Sequence, residues 1–493
     1  MKDLDHSRPV ASVESSDPTT HPSSKTGWWT PRLAGPVLAA AVIRAALLAA
    51  ALFRVGTSAI LQNDTCSYLI PGRNLLLHGR FIADGMPDLV RTPGYPLFLA
   101  LTSLGGLPMA AAAQVILSAF SVLLVWRLGR TVFGDDRIAL GAAWIFAFEP
   151  LSIVHSVFLL SETLFLTLFL LSMERLAEFL RGRRLPVLAV AGLWLAAATF
   201  VRPVTYYLPI ALALGLFIVF ARVPGLRWKA PAVLLICVLP WLAAWQIRNR
   251  AETGYGGFSS IPDIDLYFFN AAEVTARVEH RNWWDVREEL GYTLFTNHSG
   301  QSYLFQPYLA LHPEQSGWSQ GQRLAYMHSE GLHVLRAHSG AYLGTCVRDL
   351  VMVVFTPGAR YYKRLLIRGD SGHGTGIINE GRAGWETALD KTFHTTSLRV
   401  AAAKAAFAFL MLGLYLLAAR GILLAARGVF RGAMQDACLW LLLGTSLYFL
   451  AVAAFGAGPI AEARLRLPVM PAVCIFAAAG FRRAKTSAPT IAS

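Results

Sequence analysis

Charge is scarce in this chain of 493 residues: 15% are Asp, Glu, Lys or Arg, where a soluble domain carries about a quarter. That excludes an ordinary soluble globular chain. Acids are scarcer than bases, 30 against 44, which leaves a formal net charge of +14. In a soluble chain such an excess points to nucleic acid. Here the basic residues fall in short connections between apolar runs, where they report membrane topology and not a nucleic-acid partner. Cysteine is sparse as well. The five, at positions 66, 237, 346, 438 and 474, show no CxxC spacing. A bridge between Cys66 and Cys346 stays open, because both are expected on one side of the membrane. Neither GxxxxGK[ST] nor GxGxxG occurs, so nothing suggests nucleotide binding. His298, His312, His328, His333 and His338 lack HExxH or HxH spacing, and Asp263 with Asp265 is one acidic pair and no metal site. No internal repeat is found.

What is abundant is apolar length. Hydrophobic residues make up 55% of the chain, and several runs approach the roughly 20 residues that a spanning helix needs. Read as apolar stretches ended by charge or proline, the spans fall near 33–53, 108–126, 138–153, 161–174, 186–201, 204–221, 230–247, 397–419, 435–455 and 467–481. The fold class is therefore an all-α polytopic membrane protein of about ten spans, with a range of about nine to twelve. Residues 138–174 are too long for one helix and are interrupted by Glu149, Pro150, His155, Ser161 and Glu162.

Lys and Arg orient the bundle. With the N-terminus in the cytoplasm, the inner connections hold Arg127, Arg130 and Arg137; Arg175, Arg181, Arg183 and Arg184; Arg222, Arg227 and Lys229; and Arg420, Arg427 and Arg431. Both termini are then cytoplasmic. The expected divisions are a disordered tail over 1–26, a bundle over 27–247 with a first outer loop at 54–107, an outer segment at 248–396, C-terminal spans over 397–485 and a tail over 486–493. Residues 67–80 and 341–356 read as interfacial helices. The triplet "NHS" at 297–299 matches a glycosylation signal.

Polar residues recur at the outer ends of the spans. They are Asp64 and Tyr68; Arg91 and Tyr95 in "RTPGYP"; Glu149 and Glu162; Arg202 in "VRPVTYY"; Arg248, Asn249 and Arg250 in "WQIRNR"; and Glu462, Arg464 and Arg466 in "AEARLRLPVMP". Each alone has a plain explanation. Asp64, in "NDTCS", can cap the helix that follows. Glu162 can cap the fourth span, and Arg202 precedes a helix-starting proline. Arg44, in mid-span, pairs inside the bundle or snorkels. Together the set suits a different purpose. Arginine binds phosphate through planar, bidentate contacts, and a carboxylate beside it can act as a base on a hydroxyl.

The order of these pieces resembles the GT-C glycosyltransferases that use polyprenyl-phosphate sugars, above all the branch with protein O-mannosyltransferases and the transferase that adds aminoarabinose to lipid A. The matching stretches run in order from residue 60 to residue 475: "NDTCSYLIPGRNLLLHGRF", "RTPGYPLFLAL", "LLSETLFLTLFLL", "FVRPVTYYLP", "LPWLAAWQIRNRAETGYGGFSS" and "EARLRLPVMPAV". The resemblance implies a bundle whose first outer loop carries juxtamembrane helices. It implies an inverting transfer with Asp64 as the catalytic carboxylate, the general base on the acceptor hydroxyl, and Glu162 as a second catalytic acid lining the same cavity. Arg91, Arg202, Arg248, Arg464 and Arg466 would hold the donor phosphate, and Tyr68, Tyr95 and Asn249 would line the pocket. The partners implied are a polyprenyl-phosphate-linked sugar and a glycan, lipid or protein acceptor. No cofactor or metal is required, although a divalent ion at the phosphate is compatible with these residues. The wealth of Ala, Leu and Arg points to a bacterial inner membrane with the site facing outward. A transporter or flippase of a lipid-linked sugar, and a non-catalytic envelope subunit, are the competing readings; the former would show repeat symmetry or broken mid-span helices.

Overall fold

The computed structural model describes residues 30–297, 302–356, 358–366, 398–427 and 433–481. The expected tails at 1–26 and 486–493, most of the glycosylation triplet and the stretch 367–396 lie outside the described residues. What is described is almost wholly helical, with one two-residue hairpin pairing Ile82–Ala83 with Met86–Pro87.

Every predicted span finds a helix. In chain order the N-terminal set is α1 (Ala34–Arg54), α2 (Thr65–His78), α3 (Gly94–Thr102), α4 (Leu107–Phe133), α5 (Asp136–Ala147), α6 (Pro150–His155), α7 (Glu162–Gly182), α8 (Leu185–Val201), α9 (Leu208–Val219) and α10 (Lys229–Thr253). Among the described residues, six helical stretches are individually long and apolar enough to cross a membrane: Pro31–Arg54, Leu107–Phe133, Lys229–Thr253, Ala405–Ala426, Ala437–Gly456 and Ala463–Gly480. Leu38, Ile116, Ile210, Ile218, Ile236, Phe409 and Trp440 are exposed on the bundle. Such an apolar outside suits a hydrocarbon environment and makes this a multi-pass membrane protein.

Two predicted boundaries move. The run 138–153 is broken at Phe148, where the Glu149 side chain accepts from the backbone N–H groups of Leu151 and Ser152 and so starts α6. Glu149 is thus a cap, as an acidic residue ahead of Pro150 favours. Residues 94–102 do not enter the second span. They form the separate helix α3, which ends before Gly106, whose φ of 101° lets the chain turn into α4.

The bundle closes with α11 to α18 placed between its two halves. These are α11 (Ile261–Asp265), α12 (Ala272–Val278), α13 (Trp283–Glu289), α14 (Tyr292–Asn297), α15 (Ser302–Leu311), α16 (Gln320–Ala337), α17 (Ser339–Phe355) and α18 (Ala359–Leu366). A six-residue π-helical turn, Leu266–Ala271, joins α11 to α12. This segment has its own aromatic core of Tyr267, Phe268, Phe269, Trp283 and Tyr308 with Leu324 and Met327. The final helices are α19 (Leu398–Ala426), α20 (Ala433–Gly456) and α21 (Met470–Gly480). α19 and α21 touch backbone to backbone: a Cβ on Gly421 would lie 1.9 Å from the Phe476 carbonyl oxygen, and one on Gly480 2.1 Å from that of Leu417. Small residues at such crossings are how helices associate where lipid offers no hydrophobic drive.

Cys66 is exposed, Cys346 is buried, and neither is bonded to the other. The bridge left open by the sequence does not form. Arg44 does pair inside the bundle: fully buried, it donates to Ser118, Ser152 and the carbonyl of Ala147.

Candidate functional site

Helix α7 has a glutamate near each end, and arginines meet both. Glu174 is buried between Arg127, at 2.6 Å, and Arg175, at 2.9 Å. Twelve residues earlier, about 18 Å along the axis, Glu162 opens the helix. Its Oε1 lies 2.5 Å from Arg202 and 3.9 Å from Arg464. The Glu162 end is the one that collects the first loop and the last spans.

Asp64 lies at the N-cap position of α2, yet its carboxylate caps nothing. The capping explanation is therefore set aside by geometry. Oδ1 accepts from Arg91 at 3.1 Å, and Oδ2 accepts from Arg464 at 3.1 Å. The Asp64 side chain is 34% exposed, against 15% for Arg91 and 25% for Arg464, so the group opens on solvent. Burial alone would raise the Asp64 carboxyl, but the two guanidiniums outweigh it and hold it well below the usual carboxylate range.

Arg91 is fixed from three sides. Its Nε donates to Ser67 and one terminal nitrogen to the Tyr68 hydroxyl, while the guanidinium lies over the Tyr68 ring at 4.3 Å. Ser67 and Tyr68 follow Asp64 by three and four residues, on the side of α2 that Asp64 begins. Asp88 accepts from the backbone N–H groups of Val90 and Arg91 and shapes the approach. Tyr95 stands behind: fully buried, it packs edge-on against Tyr68 and donates to Gln114. It supports Tyr68 and does not line the opening.

The sequence assembled Asp64, Glu162, Arg91, Arg202 and Arg464 with Tyr68, and these do converge. Three other residues do not. Arg466 is buried and donates to the carbonyls of Val353, Val354 and Thr356. It completes the C-terminal end of α17, where the last carbonyls have no helical partner. Arg248 donates to the carbonyls of Phe81 and Asp88 and pairs with Glu252. It pins the first loop. Asn249 is buried and donates to the Gly257 carbonyl. All three hold backbone and leave the cluster.

Asp265 is the residue that sequence reading missed. It ends α11, is half-buried and shares the electrostatic surroundings of Asp64, Arg91 and Arg464. Its neighbour Asp263 is engaged elsewhere, accepting from Tyr255 at 2.5 Å and lying 2.8 Å from a ring nitrogen of His328. Among the described residues no group of three or more His, Cys, Asp or Glu side chains is gathered as a metal site.

Beside the cluster an apolar groove of about 430 Å³ runs along Gly94, Leu164, Leu168, Phe200, Val201 and Trp241. Val201 precedes Arg202, and Gly94 follows Arg91 by three residues, so the groove lies near the polar residues in sequence.

No family model matches the chain, and no curated protein matches it. Among the solved structures similar to it are the following three. The archaeal oligosaccharyltransferase AglB from Archaeoglobus fulgidus, in complex with an inhibitory peptide and a dolichol-phosphate, is 15% identical, with a TM-score of 0.45 over 91% of this chain and 50% of that one. ArnT from Cupriavidus metallidurans in the apo state is 15% identical, with a TM-score of 0.37 over 90% and 76%. ArnT bound to undecaprenyl phosphate is 14% identical, with a TM-score of 0.36 over 86% and 77%. The chain spans half the length of the AglB chain that it matches.

Proposed function

We propose that this chain is an integral-membrane glycosyltransferase that moves a sugar from a polyprenyl-phosphate donor to an acceptor hydroxyl. The observation that carries the reading is the pair of arginines, Arg91 and Arg464, held side by side on the two oxygens of Asp64 at the end of an apolar groove. Such an arrangement suits a ligand with an anionic head and a long apolar tail. Two buried atoms at this end, Arg464 Nε and Glu162 Oε2, have no hydrogen-bond partner among the described residues, although Arg464 Nε lies 3.8 Å from a Glu462 oxygen. Buried polar atoms are normally satisfied, and a phosphate or sugar would satisfy these. The ordered sequence resemblance adds the donor class.

In the proposed reaction the acceptor oxygen attacks the anomeric carbon on the face opposite the phosphate. The new C–O bond forms as the bond to the phosphate oxygen breaks, and the electron pair leaves with the phosphate. The configuration inverts. Arg91, Arg464 and Arg202 stabilise the departing charge, which is electrostatic preorganisation aimed at the atom where charge grows. Asp64 takes the proton of the acceptor hydroxyl as Arg91 and Arg464, which it holds in register beforehand, turn to the phosphate. Glu162 holds Arg202 in register. The reaction as proposed asks for no cofactor. The site faces outward from a bacterial inner membrane, with both termini in the cytoplasm.

The test is release of polyprenyl phosphate from a panel of polyprenyl-phosphate sugars by purified wild type and Asp64→Asn. Wild-type release that falls on the order of 10²–10³-fold in the variant supports the reading. Bound donor with no release from any sugar, in the presence of mixed glycan, lipid and protein acceptors, would favour transport.

A further inference from the structure

Arg464 faces three carboxylates. One terminal nitrogen lies 3.1 Å from Asp64 Oδ2 and 3.9 Å from Glu162 Oε1, while Nε lies 3.8 Å from Glu462 Oε2. The last distance is too long for a hydrogen bond. Each of these carboxylates competes with a phosphate for the same guanidinium, and the competition sharpens where burial keeps water away. Glu462 is the closest of the three in the chain, two residues before Arg464, so a small movement of its side chain would close the contact.

Glu462 is restrained from another part of the molecule. It stands at the N-cap position of the turn Ala463–Val469, yet its side chain caps nothing. The oxygen that faces Arg464, Oε2, accepts a hydrogen bond from the Tyr361 hydroxyl at 2.6 Å. Tyr361 belongs to α18, and its buried ring packs edge-on against His155 at 4.8 Å and Phe158 at 6.3 Å. Helix α18 is itself tied down. The next residue, Tyr362, donates to the Pro150 carbonyl, and Arg364 donates to the carbonyl of Leu61, three residues before Asp64. The Tyr361 hydroxyl is thus aimed from a fixed backbone at one carboxylate oxygen.

We infer that Tyr361 is a positioning residue for donor binding: its hydroxyl holds Glu462 back from Arg464 and keeps that guanidinium available to the donor phosphate. The inference rests on the reading above, in which Arg464 meets the phosphate. A carboxylate oxygen that accepts a short hydrogen bond has part of its charge satisfied. Without that bond, Glu462 Oε2 and Arg464 Nε close into an ion pair, since Nε is a buried donor with no hydrogen-bond partner among the described residues. A guanidinium clamped by Asp64 on one side and Glu462 on the other has less to offer a phosphate.

The experiment titrates undecaprenyl phosphate onto the purified full chain in nanodiscs and measures KM and kcat for release on the same preparations. The variants are Tyr361→Phe, Glu462→Gln, the two combined, and Tyr362→Phe. Tyr361→Phe should weaken binding and raise the donor KM about tenfold, with kcat within about threefold of wild type. In the Glu462→Gln background, where the competing charge is gone, the same change should weaken binding by less than about twofold. Tyr362→Phe, which loses a bond to a backbone carbonyl, should lower the melting temperature and leave binding at the wild-type level. Equal weakening by Tyr361→Phe in both backgrounds would overturn the inference and make ring packing the cause. Unchanged binding in Tyr361→Phe would overturn it too. Absence of release from every sugar donor, with the expected binding differences intact, would overturn the transferase reading and leave the role of Tyr361 standing. Failure of wild type to bind undecaprenyl phosphate would overturn both.

Discussion

Arg464 and Arg466 lie two residues apart in one 3-10 turn, Ala463–Val469, and serve two different regions. Arg464 points to carboxylates, Asp64 and Glu162, in the polar opening. Arg466 points to three backbone carbonyls at the end of α17. On a helix of three residues per turn, positions two apart point some 120° away from each other. The same division runs through the molecule. Arg91, Arg202 and Arg464 pair with side-chain carboxylates at the opening, whereas Arg44, Arg248 and Arg466 donate to backbone carbonyls, Arg248 also pairing with Glu252 on its own helix. An arginine that binds carbonyls is committed to the fold. One that binds a movable carboxylate can exchange part of that contact for a ligand.

Substitution can break this comparison. The largest effect is expected from Arg91→Ala. Release of polyprenyl phosphate should fall on the order of 10³-fold, while the melting temperature moves little, because the partner Asp64 is partly solvated. A loss of fold equal to the loss of rate would place Arg91 with the carbonyl binders. Next comes Arg466→Ala, expected to cost about 2–4 kcal/mol of stability by leaving three carbonyls short of a donor. The surviving folded fraction should turn over at the wild-type rate, read by normalising release to monodisperse protein. The smallest effect is expected from Arg248→Ala. It loosens the loop at Phe81 and Asp88, so release should fall by less than about tenfold, with KM rising more than kcat changes. A collapse in kcat would draw Arg248 back into the opening.

The spans were legible because burial in lipid demands long apolar runs, and each of the ten runs is helical, with 138–153 divided between α5 and α6. The convergence of Asp64, Arg91, Glu162, Arg202 and Arg464 was legible as polar residues at one end of successive spans. What sequence could not tell was direction. Asp263 and Asp265 are the same residue type two places apart, and on an α-helix that spacing turns them some 200° away from each other. One meets Tyr255 and His328, contacts that the other does not share. Likewise, α11 to α16 gave no clear period, because their core is aromatic and their helices are mostly short. Such helices are fixed by tertiary packing more than by local pattern.

Asp64 and Arg464 are separated by 400 residues yet share one ion pair. That distance orders events during synthesis. While the first spans are already inserted, Asp64 has Arg91 alone and Glu162 has Arg202 alone, with one oxygen of Asp64 unclaimed by any guanidinium. Only when the last hairpin arrives does Arg464 complete the set. A chain halted before residue 463 would therefore carry an unfinished acidic end at the mouth of an otherwise inserted bundle. The pair thus ties the first outer loop to the last hairpin, and either segment alone leaves a charge at the mouth without its full complement of partners.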